Sequence, residues 1–308
     1  MKAAYLVAHG GVDMFRYGDL PDPVPGPDDV LVDIHAASVN AADWKVRINA
    51  YGSKLDFPYV LGRDFSGVVS AVGANVSDLA VGDEVFGVCP AGQEGTYCEK
   101  IAIKAAITAK KPAHMSHVDA AALALIGLTA IVTIDESLKL QKGEKILIHG
   151  GAGGVAGFAL QYAKHIGAHV VTTASARNAD YVRSLGADEV IDYNTTRFED
   201  LLSDADIVVD GMAGEIRERS WKTLKPGGIL IALTGAPPND ATAAERGIRQ
   251  KTMLVHPDAA QLTKIAEMVD AGKIRVIVDA VVPLAEAARA HQMSETGHSR
   301  GKIVLQVV

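Results

Sequence analysis

The stretch that most limits what this chain can fold into is Lys145-Ile-Leu-Ile-His-Gly-Gly-Ala-Gly-Gly-Val-Ala-Gly157. A short aliphatic run breaks at His149 into glycines. Gly157-Phe-Ala-Leu-Gln-Tyr-Ala-Lys-His-Ile-Gly167 then places apolar residues at helical spacing. Strand, glycine turn and helix together suit a nucleotide pyrophosphate. Glycine lets the backbone approach the phosphates, and a helix start presents unpaired N–H groups at the positive end of its dipole. Gly151, Gly153 and Ala156 fit G-x-G-x-x-G/A, the small last residue letting the helix pack on its strand. Gly151, Ala152, Gly153, Gly154 and Val155 are therefore the expected coenzyme contacts. A second strand, Ala168-His-Val-Val-Thr-Thr173, follows at the distance a βαβ unit requires.

The end of that second strand selects the coenzyme. A carboxylate there would accept from the ribose hydroxyls of NAD and repel a 2′-phosphate. Here the chain reads Thr173-Ala-Ser-Ala-Arg177, with no acid before Asp180. Ser175 and Arg177 offer a hydroxyl and a guanidinium fork for a phosphate, so NADPH is expected. The alternative is that Ser175 merely caps the next helix while Arg177 is solvated.

Around this unit the organisation changes. Residues 2–7, 30–37, 67–72, 84–88 and 97–103 read as short strands separated by turns, as in a partly open barrel. Residues 38–51 are less regular and dense in polar side chains. Ser116-His-Val-Asp119 reads as a capping box ahead of a long apolar helix over 120–134, with a possible break at Gly127. Beyond the glycine turn, strands at 190–192, 207–210, 228–233 and 253–255 alternate with helices near 178–185 and 215–224. That alternation predicts a doubly wound parallel sheet. Residues 235–240 form a loop at a strand's carboxyl end, where substrate or nicotinamide contacts belong. Helices over 259–271 and 284–293 and a strand over 302–307 have no place in a finished nucleotide sheet. The tail is expected to return to the first unit, giving domains 1–121 with 257–308, and 122–256.

A chain of 308 residues is ample for two domains, and its net charge of −7 favours neither nucleic acid nor an anionic membrane. No uninterrupted apolar run reaches the length of a bilayer span. The two cysteines, Cys89 and Cys98, make no disulfide framework, and a cytoplasmic setting is expected.

Several stretches carry a family resemblance. They are Ala37-Ser-Val-Asn-Ala-Ala-Asp-Trp-Lys-Val-Arg47, Leu61-Gly-Arg-Asp-Phe-Ser-Gly-Val-Val69, residues 149–164, Leu185-Gly-Ala-Asp-Glu-Val-Ile-Asp-Tyr193, Leu224-Lys-Pro-Gly-Gly228 and Gly301-Lys-Ile-Val-Leu305. In this order they resemble the medium-chain dehydrogenase/reductase superfamily, in particular its zinc-independent quinone oxidoreductase branch. The resemblance implies a GroES-like β domain, a Rossmann coenzyme domain and a homodimer. Zinc-dependent members have a cysteine near position 38 and a His-Glu pair where this chain has Arg63-Asp64. Ser38 is a poor zinc ligand and Arg63 is none, so no metal is expected. His35, His114 and His117 are the residues that could improvise a site.

Without a Lewis acid, alcohol oxidation is hard, whereas a quinone or a conjugated enone accepts hydride and spreads charge onto oxygen. The protein then positions the reactants and supplies donors to that oxygen. By resemblance, Asn40 lies near the nicotinamide and Tyr51 matches a substrate-site tyrosine. Lys45 stands where several relatives have another tyrosine. The resemblance adds Thr129, Tyr193, Leu233, Arg300 and Lys302 as coenzyme contacts. Asp43 with Arg47 reads as an i, i+4 ion pair on a short helix, and Arg63 with Asp64 as a local ion pair. The leading reading is an NADPH-dependent reductase of quinones or α,β-unsaturated carbonyls. The alternatives are a zinc-free alcohol or sugar dehydrogenase and a non-catalytic NADPH-binding protein.

Overall fold

The computed structural model describes residues 1–235 and 240–308, so most of the loop expected to touch substrate, 236–239, lies outside the described residues. The chain divides into two compact units, Met1–Leu128 with His256–Val308, and Thr129–Val255. The first boundary falls at Thr129 rather than at residue 122.

The first unit opens with β1 (Lys2–Leu6), β2 (Phe15–Asp19) and the long β3 (Asp29–Val39), followed by α1 (Ala41–Arg47). The less regular stretch thus contains the short helix on which Asp43 and Arg47 were expected. It begins where Asn40, extended at φ −116°, gives its N–H to Asp43 Oδ2 at 2.8 Å. Then come β4 (Tyr59–Val60), β5 (Asp64–Val72), β6 (Glu84–Val88), β7 (Lys100–Lys104) and β8 (Thr108–Lys110). β3 organises these strands. Its full length pairs with β5, while its first half also takes β7, so the sheet curls into a partly open barrel of the GroES-like kind.

α2 (His117–Ile131) runs unbroken past Gly127 and continues as a wider, π-helical turn over Val132–Leu138. Ser116 Oγ accepts from Asp119 N at 3.1 Å, as the capping signal predicted. The whole stretch His117–Leu138 is long and apolar enough to cross a membrane, contrary to the sequence expectation. Of its most apolar 18-residue window, however, 83% is buried inside the protein, the mark of a core helix. Ala121 and Ala122 pack against Ala36 and Val304, small residues allowing close approach to the sheet.

The second unit carries β9 (Lys145–Ile148), α3 (Gly154–Ile166), β10 (His169–Ala174), α4 (Ala179–Ser184), β11 (Glu189–Asp192) and α5 (Phe198–Leu201). β12 (Ala205–Asp210), α6 (Gly214–Ser220), β13 (Leu224–Ala232), α7 (Asp240–Glu245) and β14 (Arg249–Thr252) complete it. The last strand lies at 249–252, not at 253–255. The earlier residues alternate polar and charged, so no apolar run marks them. The order β11-β10-β9-β12-β13-β14, all parallel, reverses direction between β9 and β12, and ligands bind at the carboxyl ends beside such a reversal. Leu147, Val171, Phe198, Val208, Trp221 and Leu230 form its core.

The tail returns as expected. α8 (Ala259–Asp270) starts where Asp258 accepts from Gln261 N, and β15 (Val278–Pro283), α9 (Ala287–Glu295) and β16 (Lys302–Gln306) follow. β16 pairs antiparallel with the second half of β3, Ile303 opposite Val39, which closes the sheet.

Candidate active site

In the second unit, the glycine turn lies between β9 and α3. Gly153 is the residue before the helix and offers no side chain, so the first-turn N–H groups of Gly154, Val155 and Ala156 lack intrahelical acceptors. Gly151 must be glycine because a Cβ there would overlap Thr172 Oγ1 and reach Thr172 Cβ and Cγ2 at 3.1 Å. The turn is tied to β10 twice, by Gly151 N to Thr173 O at 3.1 Å and by Gly150 N to Thr173 Oγ1 at 3.0 Å.

His149 backs this tie. Ser220 Oγ gives its proton to Ile216 O, so at 2.8 Å it accepts from His149 Nε2. His149 Nδ1 is then left to accept from Thr173 Oγ1 at 3.3 Å. Burial lowers the imidazole pKa to about 4, which keeps it in the neutral form this relay needs. At the end of β12, Asp210 is fully buried, accepts from Met212 N and Ala213 N, and pairs with Arg217 Nε at 2.6 Å. Arg217 also donates to Thr234 O, so one ion pair braces the loops after β12 and β13. Neither group was singled out from the sequence. The signal available was a histidine and an aspartate closing buried strands.

The carboxyl end of β10 bears on coenzyme choice. Ser175 Oγ is buried and has no hydrogen-bond partner among the described residues, and it makes no cap bond to the short helical turn after it. The capping alternative therefore does not hold. Arg177 is exposed two residues on, and Ala174 is in register with Asp192, so the exposed Tyr193 follows on the neighbouring strand end. Leu233 is half-buried with its N–H on Asp210 O at 2.8 Å. Thr129 is buried, its carbonyl accepting from Thr133 Oγ1 at 2.6 Å. An unpartnered hydroxyl, an exposed guanidinium and a glycine-lined helix start fit a phosphorylated dinucleotide.

In the first unit, three strand ends meet. Ser38 is in register with Asp64, and Ile303 with Val39, which sets Lys302 at the start of β16 beside Asn40. Lys302 is only 5% exposed, and its Nζ donates to Val39 O at 2.7 Å and Asn40 Oδ1 at 2.5 Å, 3.5 Å from Asp64 Oδ2. Asp64 Oδ2 accepts from Ser38 Oγ and Asn40 Nδ2, both at 2.6 Å, and Asp64 Oδ1 accepts from Leu125 N at 2.6 Å. Asp64 thus serves this cluster rather than an ion pair with Arg63, whose Nε donates to Cys89 O. Burial lowers the Lys302 pKa, and the Asp64 charge opposes that shift.

The expected Asp43–Arg47 pair is likewise replaced. Asp43 accepts from Tyr97 OH at 2.8 Å, while Arg47 reaches Gly10 O, His291 Nδ1 and Glu295. The returning α9 supplies partners closer than a neighbouring turn. Lys45 is half-buried with Nζ 5.6 Å from the Trp44 ring centre. Tyr51 is 57% exposed, and desolvation followed by the Asp43 charge raises its pKa. Arg300 is exposed, whereas Lys302 joins Asn40. Among the described residues, no group of three or more His, Cys, Asp or Glu is placed to hold a metal ion. His117 faces Ser66, Glu84 and the His35 ring instead, and His114 is exposed.

Residues 26–113 match the alcohol dehydrogenase GroES-like domain, and residues 185–305 match the zinc-binding dehydrogenase model. An Arabidopsis thaliana protein, NADPH-dependent alkenal/one oxidoreductase, chloroplastic, is 34% identical over 99% of this chain and 79% of its own. The chain belongs to the medium-chain dehydrogenase/reductase superfamily, in its quinone oxidoreductase branch. The quinone oxidoreductase of Coxiella burnetii superposes with a TM-score of 0.93 at 31% identity, covering 100% of this chain and 99% of that one. The Escherichia coli quinone oxidoreductase complexed with NADPH gives 0.91 at 26% identity, covering both chains fully.

Proposed function

We propose that this medium-chain reductase transfers hydride from NADPH to a quinone or an α,β-unsaturated carbonyl compound without a metal ion. The observation that carries the coenzyme half is Ser175. An unpartnered hydroxyl at the end of β10 can donate to the 2′-phosphate of NADPH, and the chain has no carboxylate there to repel that phosphate or to accept from the free ribose of NADH. When bound, NADPH supplies the hydride. The protein's own groups hold the acceptor and its charge. Asn40 keeps a second Nδ2 hydrogen beyond the one given to Asp64, a donor for an oxygen gaining negative charge. Tyr51, with a raised pKa and an exposed ring, remains protonated at neutral pH and can pass a proton from its hydroxyl to the reduced acceptor, refilling from solvent.

The residues do not fit zinc. Ser38 and Asp64 are bonded to each other beside the Lys302 ammonium, and a cation there would meet a fixed positive charge. The branch also implies a homodimer. Among the described residues β14 ends its sheet with one edge unpaired, and Leu254 just beyond is 83% exposed, which supports pairing of two copies there. A monomer by sedimentation would exclude it.

The test is steady-state turnover of a panel of naphthoquinones, enones and primary alcohols with NADPH, NADH and NADP⁺, on the parent and on Ser175→Ala. Reduction of quinones or enones is expected, with a preference for NADPH that narrows in the variant. Alcohol oxidation alone, tight NADPH binding without turnover, or equal use of both coenzymes would each exclude the reading.

A further inference from the structure

Lys302 is the base that the resemblance assigns to the coenzyme, yet it lies inside the first unit with its ammonium spent on groups of that unit. We propose that Lys302 and Asp64 are positioning residues that act on hydride transfer through Asn40, by fixing the rotation of its amide. This rests on the reading of Asn40 as the donor to substrate or nicotinamide.

A side-chain amide has two nearly isosteric orientations, and its neighbours choose between them. The neighbours here leave no ambiguity. An ammonium has only protons to give, so the amide atom at 2.5 Å from Lys302 Nζ must be oxygen. An ionised carboxylate has only lone pairs, so the atom at 2.6 Å from Asp64 Oδ2 must be the amide nitrogen. The two charges lock the rotor from opposite ends, and the remaining Nδ2 hydrogen has one direction. The ammonium on Oδ1 also withdraws electron density from the amide, which makes that hydrogen a stronger donor.

The backbone builds the lock. Gly301, at φ +84°, has no room for a Cβ against the Ile277 carbonyl oxygen, and this close approach delivers Lys302 N to Ile277 O at 2.9 Å. The register of β16 on β3 then sets its side chain on Asn40. Leu125 N and Ser38 Oγ hold the carboxylate from the other side. A lysine binding a phosphate would need its Nζ turned outward. This one already makes two hydrogen bonds and an ion pair.

The experiment compares Lys302→Met, Asn40→Ala and their double variant in the full-length protein. It reads kcat, the KM of an enone or quinone, and the NADPH dissociation constant by nicotinamide fluorescence. Lys302→Met is expected to lower kcat tenfold or more while the NADPH dissociation constant stays within twofold. In the Asn40→Ala background the same change is expected to add nothing. A tenfold weaker NADPH affinity with kcat intact would overturn the proposal in favour of a coenzyme ligand. Multiplying effects in the double variant would also overturn it, since Lys302 would then act independently of Asn40. If Lys302→Met does not fold, Asp64→Asn/Lys302→Met removes both charges together, and parental kcat in that variant would refute the lock.

A readout without turnover accompanies these. In protein labelled with ¹⁵N-asparagine, the Asn40 amide pair is expected to be shifted and slow to exchange, and to lose both properties in Lys302→Met. Unchanged resonances would refute the lock even in an active enzyme. No turnover by the parent would instead refute the functional reading, with the resonances still deciding the orientation.

Discussion

Asp43 lies beneath the candidate site with one oxygen satisfied twice and the other not at all. Oδ2 accepts from Asn40 N and Tyr97 OH, each at 2.8 Å, while Oδ1 is buried without a partner among the described residues. Burial outweighs both hydrogen bonds and raises the carboxyl pKa from 3.8 to about 6. Between those values the folded chain holds a proton that the unfolded chain has released. The group's contribution to stability is therefore complete below pH 3.8 and is lost as pH rises through 6. At about 1.4 kcal/mol per pKa unit, the loss is about 3 kcal/mol.

Asp43→Asn removes that titration and keeps an oxygen for both donors. Its new NH2 takes the place of Oδ1 and costs about 1–3 kcal/mol if it stays unpaired, but that cost does not vary with pH. The test is the difference in unfolding free energy, Asn minus Asp, by urea titration between pH 4.5 and 8. Trp44 adjoins Asp43, so its fluorescence in a Trp221→Phe background reports the first unit. From pH 4.5, where part of the contribution is already lost, the difference should move in favour of Asn by about 2 kcal/mol as pH rises through 6. Raw curves will not show this, because buried histidines act in the opposite sense. His291 falls from 6.5 to about 3, a contribution present above pH 6.5 and lost on acidification. Its unfolded titration is common to both proteins and its folded one lies below the range, so it cancels. A flat difference, or one favouring Asp as pH rises, would refute the account of Asp43.

Two further perturbations address the glycine turn, both followed by the fluorescence of the buried Trp221. Gly151→Ala drives a methyl into Thr172 and should cost about 1–3 kcal/mol, as overpacked sites do. Thr172→Ala should recover part of it, and strict additivity of the two would mean that Thr172 is not the obstacle. Thr173→Val keeps volume but removes the acceptor of Gly150 N and the partner of His149 Nδ1. It should weaken NADPH binding about tenfold, the equivalent of one lost hydrogen bond at about 1.4 kcal/mol, and unchanged affinity would show that the tie does not shape the turn.

What could be read from the chain and what could not divide along physical lines. The glycine turn, β10 and α3 were legible because their determinants are local: a backbone demand at Gly151, an apolar period over 157–166, and a missing acid before Asp180. β14 was placed late because Arg249-Gln-Lys-Thr252 is held by backbone pairing to β13 and carries no apolar signature. The Asp43–Arg47 pair was misread because four-residue spacing permits a pairing without requiring it. Arg47 found His291 and Glu295, which lie more than 240 positions away in sequence.

The charges around Asn40 are likewise invisible until the strands are in register. Ser38, Asn40, Asp64 and Lys302 come from the ends of β3, β5 and β16, and only the register of those strands brings them together. In isolation Lys302 looks like a solvated base at the tail. Its burial at 5% exposure is tolerable because Asp64 stands 3.5 Å away and two oxygens accept its protons. Removing either charge alone leaves the other buried and uncompensated, so the pair must be kept or lost together. A buried pair of this kind adds little net stability over an apolar one. What it adds here is direction, because an uncharged pair would leave the Asn40 amide free to sit either way round.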